Sequence, residues 1–166
     1  MFRFSLRTLL ILTLLFAVLL ALPTRRAITQ KRGRDWVAAQ GGYVTFAHQY
    51  DRVSGEYDQD AELQAPAWLI DLLGIDFFDS VHTVVLDNTM VADLQPIADL
   101  RDLRRLAIII EIDDQLDFAP LADLPRLRDL HLDYTQISAQ RLASVRAQLP
   151  QVRVDATNHP PPEAVE

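Results

Sequence analysis

"LQPIADLRDLRRLAI" (Leu94 to Ile108) and "FAPLADLPRLRDLHL" (Phe118 to Leu132) are nearly the same fifteen residues written twice, 24 positions apart. Pro96 matches Pro120, and Ala98-Asp99-Leu100 matches Ala122-Asp123-Leu124. Leu103, Leu106 and Ile108 match Leu127, Leu130 and Leu132. The overlay yields a frame, LxxLxLxxT. It appears again at Val81, Val84, Leu86 and Thr89, at Leu127, Leu130, Leu132 and Thr135, and at Leu149, Val152, Val154 and Thr157. The unit that starts at Leu103 keeps the frame as far as Glu111, where Thr is expected. Units therefore start at 81, 103, 127 and 149, spaced 22, 24 and 22. In L-x-L the two apolar side chains share one face of a strand and the middle residue takes the other. "DLQPIADL" and "DFAPLADL" return the chain, with Pro holding the preceding residue extended. One unit cannot bury its own apolar face, so units must stack.

That period and frame resemble the leucine-rich repeat, whose units run about 20–29 residues. The resemblance covers Val81 to Thr157, about half the chain, and departs from the family in having Thr or Glu where Asn or Cys is usual. It implies an α/β fold: a short leucine-rich-repeat solenoid arc of about four parallel β-strands. An N-terminal cap and one transmembrane helix precede it. The third connection, "SAQRLASVRAQLP" (Ser138 to Pro150), reads as an α-helix with Ser138 as N-cap and Leu142, Val145 and Leu149 inward. Upstream, Tyr43–Phe46 reads as a strand. "APAWLIDLLGIDFFDS" reads as a helix ended near Gly74, with Trp68, Leu69, Leu72 and Leu73 inward. Phe77 and Phe78 are expected to cover the open end of the first repeat.

The N-terminus has a different character. Between Arg7 and Arg25 lie 17 residues without a charge, near the lower limit for a membrane span. Residues 1–24 are expected to be a transmembrane signal anchor, and the alternative is a cleaved signal peptide. Residues 25–42 read as a short basic juxtamembrane helix stopped by Gly41-Gly42. The cap region is 43–80, the repeats are 81–158, and 159–166 is a polar, Pro-rich, disordered tail. The positive-inside rule places the body in the cytoplasm. The layout of a basic start followed by an apolar run is that of an export signal. The expectation adopted is a single-pass protein of a bacterial cell membrane with its C-terminal domain exported, like the small membrane-anchored leucine-rich-repeat proteins of bacteria.

Charge excludes one class of partner. From Asp35 on, nine Arg and no Lys face 23 acidic residues, a net charge of −14, while the first 34 residues hold seven basic residues and no acid. Such a body repels nucleic acid. The basic stretch is expected to lie against a membrane surface, where each Lys or Arg gains roughly 1 kcal/mol. There is no Cys, hence no disulfide and no thiolate metal site.

Chemistry-bearing motifs are sparse. No Walker loop, G-x-G-x-x-G, H-E-x-x-H or G-x-S-x-G occurs. His48, His82, His131 and His159 stand alone, none with a second histidine at metal spacing. "EIDDQLD" sets Glu111, Asp113, Asp114 and Asp117 close together, but neither EF-hand spacing nor a turn glycine accompanies them, so a solvated loop is expected. No cofactor and no metal are expected. The repeat frame instead defines a surface of three columns. The middle residues form Val85, Ala107, His131 and Arg153. Beside them run Asp87, Ile109, Asp133 and Asp155, and then Thr83, Arg105, Asp129 and Gln151. The expected function is a membrane-anchored, non-enzymatic protein-interaction module using this concave face. Its candidate contacts are Val85, Asp87, Arg105, Ala107, Ile109, Asp129, His131, Asp133 and Arg153. The second reading is a structural envelope component that self-associates along an exposed end strand. The third is a metal-dependent enzyme built on the carboxylates of Asp113 and Asp114.

Overall fold

The computed structural model describes residues 6–51, 54, 56–87, 91–112, 114–133 and 137–157. The elements run α1 (Leu6–Ala39), β1 (Tyr43–Phe46), α2 (Ala67–Leu73), α3 (Ile75–Phe78), β2 (Val81–Leu86), β3 (Arg105–Ile109), β4 (Asp129–Asp133), α4 (Ala139–Gln148) and β5 (Arg153–Thr157). One five-stranded sheet holds the strands in the order β1-β2-β3-β4-β5. β1 is antiparallel to β2, and the remaining pairs are parallel.

The repeated leucines build the core. Val84, Leu106, Leu130 and Val154 lie side by side across the four parallel strands, and Leu86, Ile108, Leu132 and Ala156 form the next row. Two 3-10 turns, Gln95–Asp99 and Ala119–Asp123, return the chain at equivalent places. Each is opened by an aspartate: the Asp93 carboxylate accepts from Gln95 N at 2.8 Å and that of Asp117 from Ala119 N at 2.9 Å. Leu94, Ile97 and Leu100 of the first arc and Phe118, Leu121 and Leu124 of the second are fully buried. Burying each such side chain contributes about 1.5–3 kcal/mol.

Four expectations are corrected. The solenoid arc of parallel strands is replaced by a single five-stranded mixed α/β sheet, because β1 runs antiparallel along the edge where a further parallel unit would stack. The register of the last strand also differs. Leu130 pairs with Val154, so the strand offsets are 22, 24 and 24, and Arg153 lies beside Asp129 rather than His131. A two-residue slip keeps every side chain on its own face, so apolar patterning alone does not detect it.

The third correction concerns the N-terminus. Among the described residues, no helix is long and apolar enough to cross a membrane. This overturns the transmembrane signal anchor and the single-pass membrane localisation. The charge-free stretch of 17 residues rises only about 26 Å as a helix, against about 30 Å of bilayer hydrocarbon, and it contains Thr8, Thr13, Pro23 and Thr24. The basic stretch is also not a separate short helix. It is the C-terminal half of α1, continuous through Pro23. That half docks on the body through Ala27, Gln30, Gly33 and Val37, spaced three or four residues apart and all buried. Its charges meet acids: Arg34 Nη2 lies 2.9 Å from the buried Asp76 carboxylate, Arg26 pairs with Asp102, and Arg32 lies 3.7 Å from Asp99. Buried Gln30 donates from Nε2 to Asp76 Oδ1 (3.1 Å) and to the Asp79 carbonyl (2.8 Å). Its Oε1 accepts from Val81 N at 3.3 Å. The helix is thereby tied to the first residue of β2.

The fourth correction follows from the third. α1 packs on the first 3-10 turn and on α3 and puts Val37 into the core, while the expected inward residues of α2 stay outside: Trp68 and Leu72 are 66% and 71% exposed, with Leu73 also exposed. Phe77 and Phe78 are half-buried and stack edge to face at 5.2 Å. Thr89, Asp113, Thr135, His159 and the expected tail lie outside the described residues.

Candidate functional site

The expected contact residues sit mainly on the sheet face opposite the core, in the rows that strand alternation allots to it. In the first row, Arg105 Nε is 3.6 Å from Asp129 Oδ2, and Arg153 Nη1 is 3.8 Å from Asp129 Oδ1. One carboxylate thus stands between two guanidiniums on neighbouring strands. The side chains are 54%, 36% and 74% exposed for Arg105, Asp129 and Arg153, so these pairs add at most about 1 kcal/mol each. The second row is Val85, Ala107, His131 and Asp155. His131 and Asp155 are exposed and Ala107 is half-buried. Ile109, Asp133 and Thr157 make the third row, and Asp87 is exposed just beyond β2.

Burial and register alter the expected face: Val85 keeps its row but is buried, and on β5 Arg153 and Asp155 each stand one row away from the frame's position. Val85 is only 8% exposed, flanked by Tyr43 of β1 and Ala107 of β3. It belongs to the wall rather than to the open surface. Gln151 precedes β5, and Arg153 takes its place beside Asp129.

Of the acidic run, two members serve the backbone. Asp114 Oδ1 accepts from Ser138 N at 2.8 Å, and the bonds from Ser138 hold the Asp114 carboxyl below its ordinary value. Asp117 opens the second 3-10 turn. Among the described residues, no group of three His, Cys, Asp or Glu side chains is placed to hold a metal ion.

The frame did not reveal a second site, at the sheet edge where β2 and β3 begin. A cavity of about 560 Å3 there is lined by Tyr50, His82, Asp102, Arg104, Arg105 and Arg126, among others. The Tyr50 and His82 rings stack at 4.1 Å. The Tyr50 hydroxyl is hydrogen-bonded to Thr45 Oγ1 (3.1 Å) and Thr83 Oγ1 (3.0 Å), and His82 Nδ1 lies 3.1 Å from the same Thr83 oxygen. Burial pushes His82 below its ordinary value, and the charges of Arg104 and Arg105 push the same way. The available signal was the crowding of arginine: five of the nine after Asp35 fall between Arg101 and Arg128.

Comparison with protein-family models, with curated proteins and with solved structures returned no match. The geometry of these two surfaces therefore carries the functional argument.

Proposed function

We propose that this protein is a non-enzymatic binding module that docks a protein partner on the open face of its sheet. One observation carries the reading. Parallel sheets are ordinarily covered on both faces. Here the 3-10 turns and helices pack on one face, while Arg105, His131, Arg153 and Asp155 of the other stand exposed around half-buried Ala107 and Ile109. A weakly apolar centre ringed by charges of both signs is the make-up of a non-obligate protein interface. The charges select the partner more than they strengthen its binding. The resemblance of the repeat to leucine-rich repeats points to the same use.

The test is a crosslinking pull-down from native extract with two baits, the wild type and His131→Glu/Ile109→Arg. The expected result is a partner captured by the wild type and reduced about tenfold or more with the variant. Capture of the same proteins by both baits overturns the reading. Capture of nothing but copies of the chain favours self-association, for which one observation speaks: β5 is a terminal strand, paired with β4 alone among the described residues.

A further inference from the structure

The body of the chain is strongly acidic, yet its arginines are not spread over it. The strand-edge cavity draws Arg104 and Arg105 from the start of β3 and Arg126 from the turn before β4. The repeat explains the meeting: residues just ahead of successive parallel strands come side by side at one edge, so Arg126 is brought to the cavity that β2 and β3 open. Asp51 and Asp102 are the two acids in the wall, and both oxygens of Asp102 are already occupied. Arg126 Nη1 lies 2.8 Å from Oδ1, and Arg26 of α1 holds Oδ2. Asp102 thus fixes Arg126 in position and adds little free negative charge. Arg105 is shared with Asp129 at 3.6 Å, a long contact at an exposed position. Arg104 has no ion pair and no side-chain hydrogen bond among the described residues, although acids outnumber arginines by more than two to one from Asp35 on. A second cavity of about 660 Å3 shares Asp102 and Arg126 as a wall and brings Arg25, Arg26 and Arg101 to its lining. With Asp51 and Asp102 in the first and Asp99 and Asp102 in the second, arginines still outnumber acids around both adjoining hollows, each of small-molecule size.

We propose that the strand-edge cavity is a binding site for a phosphate group, held by Arg104, Arg105 and Arg126. The choice of phosphate over carboxylate rests on count. A carboxylate has two oxygens and one charge, and a single guanidinium fork satisfies it. Three guanidiniums around one cavity match an anion with three free oxygens and nearly two charges. Guanidiniums are also the side chains best suited to bidentate contact with phosphate. The Tyr50–His82 ring pair in the same wall offers a flat apolar surface beside the anion, suited to the organic part of a phosphate ester.

The experiment is isothermal titration calorimetry on the full chain at constant ionic strength, with inorganic phosphate, phenyl phosphate and acetate as probes. Saturable one-site binding of phosphate with no acetate binding is expected. Arg104→Gln and Arg126→Gln should each weaken it about tenfold or more. Arg146→Gln, on α4 and absent from the lining of either cavity, should leave it unchanged. Tighter binding of phenyl phosphate than of the inorganic ion identifies an ester as the natural form, and equal binding identifies the free ion. Arg104 and Arg126 are exposed, so neither substitution disturbs the core. The proposal is overturned by absent saturation, by acetate binding as tightly as phosphate, or by Arg104→Gln without effect. None of these outcomes bears on the sheet face, so the docking reading stands or falls separately.

Discussion

At the scale of single residues, His82 has its ionisation opposed by the fold. Burial favours its neutral form, and the neighbouring Arg104 and Arg105 reinforce this against a smaller pull from Asp79. The unfolded chain takes up this proton near the ordinary value of 6.5, and the folded chain does so only at lower pH. Between the two values the unfolded state binds more protons, so stability falls as pH drops below about 6.5. We expect the urea midpoint to be lower at about pH 5.5 than at about pH 7.5, and His82→Gln to shrink that difference. An undiminished difference in the variant would refute the assignment. Gly33 makes a second residue-scale case. A Cβ there would lie 2.8 Å from Leu100 Cδ2 and 3.2 Å from the Pro96 carbonyl oxygen. Gly to Ala inside a helix ordinarily stabilises by about 1 kcal/mol. Here Leu100 is buried and the carbonyl is backbone, so neither yields readily. Gly33→Ala should instead destabilise by about 1–3 kcal/mol, read as a lower denaturation midpoint. An alanine that stabilises would mean that α1 is not seated on this turn.

Among the elements, α4 is the one most legible in the sequence. Its cap, its inward residues and its stop were all written locally. Ser138 Oγ accepts from Arg141 N at 3.1 Å, and Val145 and Leu149 are fully buried. Ser138→Ala should cost about 1 kcal/mol, measured by chemical denaturation, because it strips the first turn of its acceptor while the backbone bond to Asp114 remains. A neutral substitution would show that packing alone sets the start of α4. α1 was the least legible. Its charges read as membrane-facing, since Asp35 is the one acid near them in sequence and meets only Lys31 and Arg34. Their partners, Asp76, Asp99 and Asp102, lie more than forty residues away and meet Arg34, Arg32 and Arg26 only after folding. α2 was misread for the same reason: two turns bearing Trp68 and Leu72 look core-facing until another helix takes the place they would fill.

Across the whole molecule, the sheet divides the surface by exposure. Among the described residues, one face is consumed by the core, β1 runs antiparallel along one edge with α1 packed against it, and the open face and the far edge at β5 are left uncovered. The proposed docking surface uses the open face, and the pull-down with His131→Glu/Ile109→Arg tests it at this scale. The proposed phosphate site lies at the edge where the strands begin, and calorimetry with Arg104→Gln tests it independently. Both surfaces depend on the same register. It places Arg105, Asp129 and Arg153 in one row on the open face.

The sequence by itself determined which residues of the repeats are core and which strands repeat, because period-two and 24-residue patterning are properties of neighbours along the chain. It also determined that the strands lie in chain order, since a unit of this size can bury its apolar side only against the next. The tertiary structure decided the rest. The two-residue offset of β5 conserves face and is invisible to hydropathy. The antiparallel β1 depends on which edge was left open. The docking of α1 rests on ion pairs across distant segments, and the convergence of arginines at one edge exists only once the strands stand side by side. Each of these is a contact between residues far apart in sequence, and local pattern carries no information about such contacts.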